Sequence, residues 1–156
     1  MTRDTRGFGF VEVVISAGIA TLILTGMLAA FQSYLRAALR LPERVEASFL
    51  AEEGLEALRS IRDEQWGTFA AFSGSTRYLF FTGSAWQGTT TPEYIDGMLR
   101  SFTVSDVGRG AEDDIVSSGG VNDPSTKKAE VTVAWQERGA TTTISLSTYF
   151  ADIHAD

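Results

Sequence analysis

The chain has no cysteine among its 156 residues and one histidine, His154. Without cysteine, no disulfide can cross-link the fold and no thiol can act as a nucleophile or a metal ligand. A single histidine cannot assemble a histidine-based metal site or a catalytic triad. The sequence also contains no glycine-rich phosphate loop, no nucleophile elbow and no paired carboxylates arranged for acid–base catalysis. We therefore expect a protein that is not an enzyme and that uses neither a metal nor a cofactor.

Positive charge is also scarce. The chain has 13 lysine and arginine residues against 20 aspartate and glutamate residues, a formal charge of −7. Binding to nucleic acid depends on neutralising phosphates, so this balance argues against a nucleic-acid partner. We interpret the adjacent Lys127 and Lys128 as charges that protect an exposed strand edge from aggregation. The length fits one domain with an anchor rather than two domains.

Charge is absent altogether between residues 13 and 31. These residues, about 19 in number, form a helix about 28 Å long, close to the hydrocarbon thickness of a bilayer, about 30 Å. Glu12 stands immediately before this run, and a lone carboxylate in lipid costs at least about 2.5–3.5 kcal/mol, so Glu12 needs a partner or a function. Arg3 and Arg6 precede the run and favour an orientation with the N-terminus inside and the rest of the chain outside.

Four features coincide at this end of the sequence. A basic leader is followed by the Gly7-Phe8 step, by Glu12 at the fifth position after Gly7, and by the membrane-length run. Together they resemble the class III signal peptides of type IV prepilins and of the pseudopilins of type II secretion systems. That family usually has Thr-Leu-Ile between the phenylalanine and the glutamate. Here residues 9–11 are Gly-Phe-Val, and Gly9 is the clearest departure.

The resemblance implies how the chain is processed and assembled. A prepilin peptidase would cut between Gly7 and Phe8, and Phe8 would become N-methylated. The carboxylate of Glu12 would then pair with the Phe8 amine of a neighbouring subunit. The implied partners are copies of this chain and other pilins, the prepilin peptidase, the inner-membrane assembly platform, and membrane lipid before assembly. The implied location is the inner membrane, with the C-terminal domain outside, and then a cell-surface pilus or a periplasmic pseudopilus.

On this interpretation the chain is a structural subunit of a type IV pilus or a pilus-like filament, either a major or a minor pilin. The alternative is a membrane-anchored extracytoplasmic binding module that keeps its leader and forms no filament. A conventional secretory signal would instead be cut near Ala30, although a charged Glu12 is out of place at the start of such a signal.

Pattern and resemblance both predict an α+β, pilin-like fold, in which a long N-terminal α-helix packs on a small antiparallel β-sheet. The helix is expected from about Phe8 to Trp66, membrane-spanning at first and then amphipathic, with a kink near Leu39 caused by Pro42. We divide the chain into a leader (1–7), a transmembrane and filament-core half-helix (8–34) and an extracytoplasmic domain (35–156).

Alternating sequence patterns predict three to four antiparallel strands, over 77–82, 98–107, 128–136 and 141–150. The last two would form a hairpin with a turn at residues 137–140. Residues 108–126 are expected to be a long polar loop. Its acidic residues are interpreted as solvated rather than as a calcium site, because their spacing matches no calcium motif; they are Glu112, Asp113, Asp114 and Asp123.

Overall fold

The computed structural model describes residues 9–38, 41–116, 119–137 and 139–153. Within these ranges three helices are followed by seven strands that form one sheet, so the predicted α+β class is confirmed. The helices are α1 (Phe10–Ala38), α2 (Leu41–Glu64) and α3 (Trp66–Ala70). The strands are β1 (Thr76–Phe81), β2 (Trp86–Thr89), β3 (Tyr94–Ile95), β4 (Met98–Arg109), β5 (Ile115–Val116), β6 (Val121–Glu137) and β7 (Ala140–Ala151). The chain divides into two compact units, one up to Pro42 and one from Glu43 onward.

Helix α1 is apolar on every side and buries none of its 29 residues. The helical segment that starts at Phe10 is long and apolar enough, by length and composition, to cross a membrane. Its hydroxyl groups bond within the helix: Thr21 donates to the carbonyl of Ala17 at 2.8 Å, and Ser33 donates to that of Ala29 at 3.0 Å. Such bonds remove the cost of placing an unpaired hydroxyl in hydrocarbon.

Helix α2 is amphipathic, with one buried face that joins the core of the second unit. That face is dominated by small residues and consists of Ala47, Leu50, Ala51, Gly54, Ala57, Leu58 and Ile61. The other face carries solvated charges, including the pair of Glu56 and Arg59, whose Oε1 and Nη1 atoms lie 2.5 Å apart. Small side chains allow the helix axis to lie close to the sheet, which is why Gly54 touches the Val131 side chain.

The sheet has the strand order β2-β1-β4-β6-β7, with β3 and β5 also paired to β4. All of these pairings are antiparallel. The alternation predicted for the sixth strand is confirmed, because its inward residues are all buried: Ala129, Val131, Val133 and Trp135. The predicted hairpin is also confirmed, since Glu137 pairs with Ala140 at its closed end.

The expected loop over 108–126 is wrong. Strand β4 continues to Arg109, and β6 already begins at Val121 and pairs with it, so that Gly108 lies opposite Asn122. A bulge between Asp106 and Val107 breaks the alternation of inward and outward residues at this point. The continuation of the strand was missed because the prediction assumed an uninterrupted period of two.

The interpretation of Lys127 and Lys128 as guards of a strand edge is also wrong. Both lie on β6, which is an interior strand between β4 and β7. Lys127 is buried, and its Nζ atom lies 2.6 Å from Oδ1 of Asp106 on β4. The charge of Lys127 therefore serves the packing of the sheet and not the protection of an edge.

The long helix was predicted to end at Trp66-Gly67. In the structure α2 ends at Glu64, Gln65 is extended, and the short helix α3 follows. Strands β2 and β3 were not predicted, since they are only four and two residues long. The predicted kink near Leu39 and the leader 1–7 lie outside the described residues.

Gly54→Ala tests the close approach of α2 to the sheet. A Cβ at this position would lie 2.8 Å from Cγ1 of Val131 and 3.2 Å from Cδ of Arg100. We expect the full chain in detergent to lose about 1–3 kcal/mol of unfolding free energy, measured by thermal or chemical denaturation. Gly67→Ala is the matched control, because a Cβ there meets nothing within 4 Å and should leave stability unchanged or slightly raised. Equal stability of the two variants would contradict this packing.

Candidate functional site at the start of helix α1

The one carboxylate of the first unit, in its described part, lies in the first turn of α1. Glu12 is the third residue of that helix, which begins at Phe10 after Gly9. The carbonyl of Gly9 accepts hydrogen bonds from the backbone N–H of Glu12 at 3.0 Å and of Val13 at 3.3 Å. In return, the backbone N–H of Gly9 donates to Oε2 of Glu12 at 2.9 Å. Gly9 is thus the N-cap of the helix, and Glu12 closes back onto it.

This arrangement is half of a capping box, in which a glutamate three residues into the helix bonds the backbone of the N-cap residue. Glycine at the N-cap has no side-chain oxygen to complete the box. The carboxylate of Glu12 also lies at the positive end of the helix dipole, and this interaction stabilises the start of the helix. Glu12 therefore orders the first turn of α1 and presents one carboxylate near the start of the apolar segment.

Sequence reasoning assigned Glu12 to a contact between subunits and missed its bond to Gly9. The spacing of three residues between an N-cap candidate and a glutamate was the signal that pointed to it. Gly7 and Phe8, the predicted cleavage and methylation positions, lie outside the described residues. The structure therefore places Glu12 in the first turn of α1. Cleavage after Gly7 and methylation of Phe8 stay predictions.

Small residues interrupt the apolar surface of α1. A Cβ at Gly18 or at Gly26 would meet nothing within 4 Å. The large side chains around them are exposed, with Leu22 73% and Met27 66% accessible. Both glycines are therefore open positions where the backbone of another helix can approach closely.

The acidic segment considered as a calcium site is organised by an arginine. Nε of Arg109 lies 2.7 Å from Oδ2 of Asp123 and 3.5 Å from Oδ1 of Asp113. Its Nη1 atom donates to the carbonyl of Asp113 at 2.7 Å, and Nη2 donates to the hydroxyl of Thr126 at 3.4 Å. The guanidinium thus occupies the centre of the oxygen atoms that a cation would need. No group of three or more acidic or histidine side chains is placed to hold a metal within the described ranges.

The charges of this cluster stabilise each other. The hydrogen bond from Arg109, assisted by Thr126, lowers the pKa of Asp123 below its ordinary value of 3.8. The same bond raises the pKa of Arg109. A second pair behaves alike, since hydrogen bonds from Lys127 and then Ser73 lower the pKa of Asp106. These two ion pairs hold the bulged ends of β4 and β6 together.

A third charge, Arg100, lies beneath helix α2 and is only 3% exposed. Its Nη1 atom lies 3.2 Å from Oε1 of Glu53 and donates to the carbonyl of Leu50 at 3.3 Å, and its guanidinium stands over the Trp86 ring. Sequence reasoning missed this role. The signal was a charge at an inward position of an alternating strand, between Met98 and Phe102. The contacts are those of a side chain that fixes the helix to the sheet.

A shallow cavity of about 300 Å³ lies beside α3 and the β1–β2 hairpin. Its lining mixes Trp86 and Phe72 with the polar groups of Gln65, Gln87 and Glu64. Glu64 is the one titratable side chain among the residues that line it.

No protein-family model matches the chain, and no curated protein or solved structure matches it either.

The Arg109–Asp123 pair predicts a specific dependence of stability on pH. Because the folded-state pKa of Asp123 is depressed, its contribution is complete above the ordinary value of 3.8 and is lost as the pH falls through the lower folded-state value. Asp123→Asn should lower the melting temperature at neutral pH and reduce its further loss as the pH falls from about 5 to about 2.

Glu112→Gln is the control. It removes an exposed carboxylate from the same segment, and this carboxylate does not contact Arg109. Melting curves of the three proteins are recorded across this pH range. An unchanged acid response in Asp123→Asn would show that the pair contributes nothing to folding.

Proposed function

We propose that this chain is a structural subunit of a type IV pilus or of a pilus-like secretion filament. It is processed by a prepilin peptidase and polymerised through α1. One observation carries the proposal: a carboxylate stands in the first turn of a membrane-length helix whose whole apolar surface is unburied. A simple membrane anchor accounts for the apolar length but gives no reason for the carboxylate.

The surface of α1 requires a partner at every stage. All of its large apolar side chains are exposed, for example Ile15 at 56% and Phe31 at 57%. Lipid covers such a surface in the membrane, and in water only other apolar surfaces can do so. Helices of neighbouring subunits supply that surface when the chain leaves the bilayer. Gly18 and Gly26 permit the close approach that such a bundle needs.

Cleavage after Gly7 would create a positive amine on Phe8, directly before the N-cap residue. A carboxylate and an amine are each costly when alone in lipid, so pairing them lowers the cost of both. Glu12 already has its carboxylate directed to the start of the helix by the bond to Gly9. Processing and assembly would thus be coupled, because only a cleaved chain offers the amine to the Glu12 of a neighbour.

The second unit would form the extracytoplasmic part of each subunit. Its sheet and the buried face of α2 form a single core, and the acidic balance of the chain suits an exported, soluble surface. The partners follow from this proposal: other pilins, the prepilin peptidase, the assembly platform in the inner membrane, and lipid before assembly.

The N-terminal peptide mass separates this proposal from an anchored binding module. The chain isolated from its native membrane should begin at Phe8, one methyl group heavier than the unmodified peptide. Gly7→Leu should block this cut, whereas Gly9→Ala should be processed normally, since a Cβ at Gly9 meets only Oε2 of Glu12 at 3.8 Å. An intact leader in cells with an active prepilin peptidase would contradict the proposal, and cleavage near Ala30 would indicate a secreted domain.

Glu12 variants separate its charge from its capping bond. Glu12→Gln keeps an oxygen that can accept the bond from Gly9 but loses the charge, and Glu12→Ala loses both. We expect both variants to be cleaved and both to be depleted from filaments, by at least about tenfold for a lost pairing in lipid. The amount in a filament fraction, relative to membranes, is measured by immunoblot.

Glu43→Gln is the matched control, because Glu43 is an exposed acidic residue in the first turn of α2. It should enter filaments at the level of the unmodified chain. If Glu12→Gln does so as well, the charge has no role in assembly and the capping bond is the whole function of Glu12.

A further inference from the structure

Strand β7 forms one edge of the sheet, and it lacks the features that usually protect an edge. Its twelve residues, 140–151, contain no charged residue and no proline. Its pairing with β6 runs without a register shift from Ala140 to Ala151. Natural edges are normally blunted by charges, proline, bulges or short length, because an unpaired edge is a template for another strand.

The distribution of charge across the sheet is the reverse of the usual one. The interior strands hold the charges, which are Arg77 on β1, Arg100, Asp106 and Arg109 on β4, and Asp123, Lys127, Lys128, Glu130 and Glu137 on β6. The opposite edge, β2, is protected by being only four residues long. Strand β7 is therefore long, regular and neutral, whereas the edge strand of a monomeric domain is usually protected against pairing with another strand.

The strand also has two well-defined faces. Its outward residues are exposed and mostly hydroxylated, namely Thr141, Thr143, Ser145, Ser147 and Tyr149. Its inward residues include Ile144 and Leu146, which are half-buried against the core. Hydroxyl pairing already operates across this part of the sheet, since the hydroxyl oxygens of Thr132 and Ser145 lie 2.8 Å apart. In the described residues, β6 is the one strand paired with β7.

We propose that β7 pairs antiparallel with the β7 strand of a second copy of this chain, joining two sheets into one. The occupant follows from charge: the chain carries a formal charge of −7, so two copies repel each other except where the contact is neutral. The twelve-residue neutral strand β7 offers such a contact, and the same strand of a second copy can pair with it. This inference goes beyond the proposed function and does not depend on cleavage or on α1.

Side-chain matching selects the register. A two-fold axis at Ser145 places Thr143 opposite Ser147, so hydroxyls meet on the outward face. On the inward face it places Ile144 opposite Leu146, so apolar groups meet there. A shift by two residues would instead put Ile144 opposite Thr148. Pairs of Thr with Ser, and of apolar with apolar side chains, are the favourable cross-strand contacts.

A cysteine-free chain makes this register directly measurable. Residues opposite each other in an antiparallel pair have Cβ atoms about 4.5–5.5 Å apart, close to disulfide reach. Ser145→Cys should therefore form a disulfide-linked dimer in native membranes under mild oxidation. Thr143→Cys alone should not, since its two copies would lie roughly 14 Å apart, four residues at about 3.4 Å each. Cells that contain both Thr143→Cys and Ser147→Cys chains should form the mixed dimer.

Three further variants control for chance collisions and for folding. Thr103→Cys is exposed on the interior strand β4 and should not cross-link, although it is as accessible as the β7 positions. Adding Thr143→Lys to Ser145→Cys introduces an edge charge and should lower the dimer yield about fivefold. Adding Thr103→Lys, on β4, should leave the yield unchanged.

Several results would overturn the proposal. A Ser145→Cys dimer no more abundant than the Thr103→Cys dimer would exclude the β7 contact. Equal cross-linking by Thr143→Cys alone would exclude the register, and cross-linking of β7 to a cysteine at Gln87 on β2 would show a head-to-tail arrangement instead. None of these results would alter where the N-terminus is cut.

Discussion

The constraint behind this protein is that helix α1 leaves its whole apolar surface unburied. A helix of 29 residues with no buried side chain cannot be stable alone in water. The hydroxyls of Thr21, Thr25 and Ser33 are bonded to carbonyls of the same helix, and its first turn is closed by Glu12 on Gly9. The backbone and side-chain polar groups are thus prepared for a medium without water. What remains is the apolar outer surface, which lipid or another apolar surface must cover.

The second unit is stabilised without disulfides, because the sequence contains no cysteine. Helix α2 approaches the sheet closely through alanines and Gly54, and aromatic pairs fill the core, such as Phe69 with Phe150 and Phe72 with Phe102. The irregular ends of β4 and β6 are held by the Arg109–Asp123 and Lys127–Asp106 pairs. Ion pairs between side chains therefore cross-link this region of the sheet. Strand β7 differs from β4 and β6, because it contains no charged residue.

The features that sequence could predict are those with a long, uniform pattern. The uncharged run of α1 and the alternation on β6 around Val131 each extend over enough residues to exclude other structures. Glu12 was identifiable because a carboxylate beside an apolar run has a high free-energy cost in lipid unless it is paired. The bond from Gly9 to Glu12 was hidden because glycine is a weak N-cap signal, although the spacing was present.

The failures have a common physical origin in tertiary contacts. The bulge at Asp106 and Val107 shifts the inward positions of β4 by one residue, so alternation breaks where the strand continues. Pro124 lies in the corresponding irregular part of β6 and looked like a loop signal. Lys127 was assigned to an edge because a buried lysine depends on a partner, Asp106, 21 residues away in sequence. Strands β2 and β3 are short and gain their order from their neighbours.

The most direct test of a filament subunit is whether the chain leaves the membrane as part of a lipid-free assembly. Cells are sheared or osmotically opened without detergent, and the released material is separated by flotation on a density gradient. A filament subunit is expected in a dense, lipid-free, sedimenting fraction, together with a pool that floats with membranes. Complete flotation with membranes, under conditions in which other filaments of the same cells sediment, would contradict the account and favour an anchored module.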